Sequence, residues 1–135
     1  MSINTQQQLA PNFKLCEFLH GNDPLPSRSV IHNLTLLAHR LQGIRDLLGR
    51  PILINSGYRT PEHNRAVGGA KNSYHLKGMA ADIIIPGIPA LEVQRHLSNW
   101  SGGMGCYEHF THLDIRPFVA RWTQAESPNS TNPDH

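Results

Sequence analysis

Two imidazoles and one carboxylate stand at spacings that can meet on a metal ion. Ser73-x-His75-x-x-Gly78-x-Ala80-x-Asp82 sets a histidine and an aspartate seven residues apart, with a glycine between them on which the chain can reverse. His112-x-Asp114 follows thirty residues after Asp82. Three protein ligands of the N/N/O kind leave a fourth tetrahedral position to water, the arrangement of a catalytic zinc site, whereas structural zinc sites close all four positions, usually with Cys. Two cysteines, Cys16 and Cys106, cannot build such a closed site. Asp82 lies inside the apolar run Ala80–Ile85, where a lone charge is costly and a divalent cation removes the cost; a turn cap or an arginine partner is the plainer alternative. Of nine histidines, His75, His109 and His112 keep a functional reading. His20, His32, His39, His63, His96 and His135 read as ordinary core or surface residues.

The elements that must position these groups follow from periodicity and turn chemistry. Residues 80–85 predict a central strand, β-branched and ended by Pro86-Gly87. Residues 102–107 and 109–115 predict two strands or one bulged hairpin, in which His112 and Asp114 share a face opposite Leu113 and Ile115. Pro51–Asn55 predicts a buried strand ending at Ser56-Gly57, which delivers Tyr58 and Arg59. Thr60-Pro-Glu-His63 opens a short helix closed by Gly68-Gly69. Ile31, Leu34, Leu37, Leu41, Ile44 and Leu48 recur at three- and four-residue steps between a cap at Ser27 or Ser29 and a stop at Gly49, the main amphipathic helix, expected to pack on a sheet. Pro89–Trp100 predicts a second helix; residues 1–12 read as polar and loose, and 13–19 as an anchoring segment. Residues 1–122 are expected to form one domain, with 123–135 a disordered tail rich in Ser, Asn and Pro.

A chain of 135 residues can bury a real core without disulfides, and the two cysteines are expected as separate thiols. With 16% charged residues, a net charge of +2 and no basic cluster, nucleic acid is excluded as an expected partner. No run approaches the roughly 18 apolar residues of a membrane span, and the N-terminus has the features of no export signal. The protein is expected to be a monomer.

The chain resembles the zinc D-alanyl-D-alanine carboxypeptidases and related peptidoglycan endopeptidases, a group that shares its metal site with lysostaphin-type enzymes and the hedgehog domain. The resemblance spans residues 13–122 and rests on Ser56-Gly-Tyr-Arg-Thr-Pro-Glu-His-Asn64, the Ser73 to Asp82 motif, and Gly103-Met-Gly-Cys-Tyr107 leading to Phe110-Thr-His-Leu-Asp-Ile115. It implies an α+β fold, helices packed against a small antiparallel sheet carrying the metal. It also implies zinc held by His75, Asp82 and His112, an oxyanion-stabilising Arg59, and a Ser73 that contacts substrate. Arg59 has an independent argument, since a guanidinium beside a metal at a strand end can polarise a scissile carbonyl.

The proton acceptor departs from the family pattern, which puts an acid three positions before the last zinc histidine; here that place holds His109, next to Glu108. One regular strand would put Glu108 and Asp114 on His112's side, and a bulge after Tyr107 would present His109 instead. Asp114 could equally fix an imidazole ring. Glu108, His109 and Asp114 therefore all stand as candidates. The implied reaction is hydrolysis of peptide bonds in D-alanine-containing stem peptides or their cross-links, by a carboxypeptidase or endopeptidase such as a phage lysis enzyme or a small wall-remodelling peptidase exported by another route. The rival readings are a non-catalytic, zinc-stabilised binding module of hedgehog type and a metal-free structural domain.

Overall fold

The computed structural model describes residues 3–123. Helix α1 (Arg28–Leu48) starts where the Ser27 hydroxyl accepts from the Val30 N–H and stops where Gly49 turns left-handed, its N–H donating to the Arg45 carbonyl. Leu34, Leu37 and Leu41 are fully buried along one stripe, each contributing on the order of 1.5–3 kcal/mol. They share one core with Ala81, Ile83, Met104 and Leu113 from the main sheet.

That sheet has five strands in the order β3-β4-β6-β5-β7: β3 (Leu53–Ser56), β4 (Ala80–Ile84), β5 (Gly103–Cys106), β6 (Thr111–Asp114) and β7 (Ala120–Thr123). With helices α1, α2 (Pro61–Ala66) and α3 (Ala90–His96), this is the expected α+β class. All pairs are antiparallel except β5 with β7. The parallel pair has a simple origin. Both flanks of β6 are taken by β4 and β5, so the chain crosses residues 115–119 to the open side of β5 and returns from the end where β6 stops.

Several expectations need correction. Residues 1–12 are not loose where described: β1 (Gln8–Ala10) pairs with β2 (Phe13–Lys14), burying Leu9 and Ala10, and Gln42 of α1 accepts from the Asn12 N–H at 2.8 Å. Residues 51–55 are not a buried strand, because β3 is a sheet edge with Leu53 52% exposed. Helix α3 covers only part of residues 89–100. Thr123, assigned to the tail, ends β7; the rest of that segment, and His135, lie outside the described residues. Phe13, Leu15 and Phe18 anchor the N-terminal segment as expected. Cys16 and Cys106 are free, and no described helix is long and apolar enough to cross a membrane.

Candidate metal centre

Register builds the centre. Ser56, Asp82, His112, Gly105 and Trp122 stand opposite one another in a row across all five strands. Alternation sends Ala81, Ile83 and Leu113 into the core and turns Asp82, His112 and Asp114 to the other face. Gly105 is what the row requires beside the histidine, since a Cβ there would overlap the Trp122 indole, which packs 5.1 Å from the His112 ring.

His75 arrives over this face on a single 3₁₀ turn (Tyr74–Lys77). The Ser73 hydroxyl accepts from the His75 N–H at 3.2 Å, and Gly78, at φ +72°, closes the turn where a side chain would meet Val30. The spacing of the motif is thus the length of one capped turn. His75 Nε2 lies 3.2 Å and His112 Nδ1 3.0 Å from the same oxygen, Asp82 Oδ1.

The outer atoms of both rings decide which nitrogen faces inward. His75 Nδ1 sits 2.7 Å from the Gly57 carbonyl, which can only accept, so the proton is on Nδ1 and the lone pair of Nε2 turns to Asp82. His112 Nε2 donates to Asp114 Oδ2 at 2.8 Å, leaving Nδ1 for the centre. Burial drives the His75 pKa down, against the pull of Asp82. Burial also opposes a proton on His112, but its hydrogen bonds to Asp114 and Asp82 outweigh this and raise its pKa. Two inward nitrogens and a carboxylate oxygen, all fully or nearly buried and within 4.8 Å of one another, form a donor set that a dication satisfies. Zinc at 2.0–2.1 Å from each ligand spaces them by roughly 3.3 Å, close to the distances found. The residues fit zinc.

Asp114 is fully buried and takes no part in the cleft. Besides His112 it accepts from the Gly103 N–H at 2.9 Å and from Arg116 Nε and Nη2 at 2.8 and 2.7 Å. Burial alone would raise its pKa; the bonds from His112 and Arg116 hold it far below the usual carboxylate range. Arg116 is sandwiched by Tyr74 and Trp122 at 4.5 and 5.1 Å. Sequence reasoning missed Arg116; its signal was a cation two residues beyond a buried acid.

Arg59 is 3% exposed and held by Ser56 Oγ, Asn64 Oδ1 and Asp82 Oδ2 at 3.2, 3.2 and 3.4 Å. Burial lowers its pKa, countered by Asp82. It lines a cleft of about 400 Å³ together with Tyr58, His63, Asp82 and Phe110. Glu108 and His109 are not part of a strand. They form the tip between β5 and β6, their side chains 81% and 86% exposed, with Tyr107 and Phe110 stacked at 4.5 Å beneath them. Neither strand alternation nor a bulge governs their direction.

Three buried metal-binding side chains, with a buried arginine against one of them and a cleft that Asp82 and Arg59 line, make a candidate metal centre. The chain belongs to the Peptidase M15 family, whose pattern matches residues 12–114. It is 37% identical over 122 residues to the peptidoglycan L,D-endopeptidase MepK of Escherichia coli (strain K12), covering 83% of this chain and 64% of that one. It is 35% identical over 144 residues to the Haemophilus influenzae protein named "Probable peptidoglycan L,D-endopeptidase MepK", covering 90% and 75%. A zinc D-Ala-D-Ala carboxypeptidase of Streptomyces albus G is 42% identical over 52 residues, 38% of this chain and 20% of that one. The chain thus spans less than two thirds of the length of its Escherichia coli relative.

Proposed function

We propose that this chain is a zinc peptidase that hydrolyses an amide bond in the peptide part of peptidoglycan. The observation carrying this reading is the buried His75–Asp82–His112 donor set, whose Asp82 lines a cleft beside the Arg59 guanidinium. Zinc, when bound there, supplies Lewis acidity and brings the pKa of a water to about 7. Arg59, fixed by three side-chain oxygens before substrate arrives, donates to the carbonyl oxygen as negative charge develops on it. The proton of the attacking water passes to the hairpin tip, to Glu108 or His109. Asp114 serves instead to hold the His112 ring, because its oxygens are already committed to His112, Gly103 and Arg116. Ser73 shapes the turn that presents His75.

The Escherichia coli and Haemophilus influenzae relatives, which match over most of the chain, are named endopeptidases, and the carboxypeptidase matches over 52 residues. This weight favours cleavage within the stem or cross-link over removal of a terminal residue. A non-catalytic binding module has no use for a buried arginine held at the edge of an open centre, and is not favoured. Mass spectrometry of fragments released from intact and from uncross-linked peptidoglycan tests the reading. New internal peptide termini, absent with Asp82→Ala, are expected; unchanged peptidoglycan with the zinc-loaded wild type refutes it.

A further inference from the structure

His20 and His63, which line the same cleft, come together with Asp23 although the two histidines stand far apart in the chain. A turn in which the Asp23 N–H donates to the His20 carbonyl brings His20 and Asp23 to one side, and Thr60, capping α2, sets His63 opposite them. Asp23 Oδ2 lies 3.3 Å from His63 Nδ1 and 3.6 Å from His20 Nδ1, and the two rings stack at 4.1 Å. Asp23 Oδ2 and His63 Nδ1 are both shielded from solvent, yet neither makes a hydrogen bond. At 3.3 Å they are near enough for one, so it is direction that fails. The donor atoms of all three residues lie within 4.8 Å of one another.

We propose that His20, Asp23 and His63 form a second site for a borderline divalent ion of the zinc class. Two imidazoles and one carboxylate repeat the donor set of the inner centre, and the spacings are near the roughly 3.3 Å edge of a zinc tetrahedron. Imidazole donors disfavour magnesium and calcium, which take oxygen ligands. The His20 side chain is 63% exposed, so this ion exchanges with solvent and binds more weakly than an ion at the buried centre. His20 and His63 line the cleft with Arg59 and Asp82, so the ion sits where it can meet an anionic group of a bound molecule.

Zinc titration by calorimetry, with bound metal counted by native mass spectrometry, tests this. Wild type is expected to take two equivalents, His63→Ala and His20→Ala one each, and Asp82→Ala one. His20→Ala alters an exposed side chain and decides the matter should His63→Ala fail to fold. A His20→Ala protein that binds as many equivalents as wild type overturns the second site and reduces the cluster to a histidine–aspartate ion pair. Loss of metal in Asp82→Ala reports separately on the inner centre, so the two assignments stand or fall apart.

Discussion

Replacing Asp114 by Asn separates what this carboxylate does for the metal from what it does for the fold. The amide keeps the shape but has one accepting oxygen. To stay bonded to Arg116 and the Gly103 N–H, that oxygen must face them, which turns the NH₂ toward His112 Nε2. Nε2 must then accept, and the ring proton moves to Nδ1, the atom that faces Asp82. Metal must displace that proton or the ring must flip. Loss of such an outer partner typically lowers metal affinity by about 10–100-fold, about 1.4–2.7 kcal/mol. The metal-free fold suffers independently, because the buried Arg116 loses its counter-charge, a loss of on the order of 3–5 kcal/mol at most. Competition with a chromophoric zinc chelator measures the first effect and urea unfolding in EDTA the second. An Asp114→Asn protein that is destabilised but binds zinc within a factor of about two of wild type would refute the orienting role.

Arg59→Ala should reduce kcat on peptidoglycan by about 10²–10³-fold, with zinc content unchanged, and Arg59→Lys should not rescue it because one ammonium cannot replace the fork on Ser56, Asn64 and Asp82. At the hairpin tip, Glu108→Gln or His109→Ala should lower kcat by roughly 10²–10⁴-fold, whichever removes the proton acceptor, and both should keep full zinc stoichiometry by elemental analysis; retention of wild-type kcat by both would place the acceptor elsewhere. Gly105→Ala should push the Trp122 indole off the His112 ring, lowering thermal stability by about 1–3 kcal/mol of overpacking and shifting tryptophan emission.

The meeting of His75, Asp82 and His112 was legible because each stood in a pattern with its own physical cause: a chain reversal at Gly78 for His75, a charge inside an apolar strand for Asp82, strand alternation for His112. Helix α1 was legible for a similar reason, its apolar period running unbroken between two caps. What stayed hidden depended on distance in space. Leu9 and Ala10 looked like part of a glutamine-rich lead, and only the face of α1 makes them a buried hairpin. Residues 120–123 have no strand signal beyond Trp122, and it is the open flank of β5 that recruits them. Asp114 and Arg116 are neighbours in sequence, but their pairing becomes decisive only once both are buried. His20 and His63 read as ordinary because nothing in one dimension predicts that Asp23 lies between them.

The row across the sheet also governs where this chain can tolerate a change in length. Because strand side chains alternate, deleting Ala81 while the start of β4 keeps its register would carry the acid to the apolar side, beside Leu113, and put Ile83 before the two imidazoles. A residue added to the connection between Ile85 and Gly102 leaves every pairing as it was. Insertions should therefore survive in the loops while the strands that carry Asp82 and His112 keep a constant count.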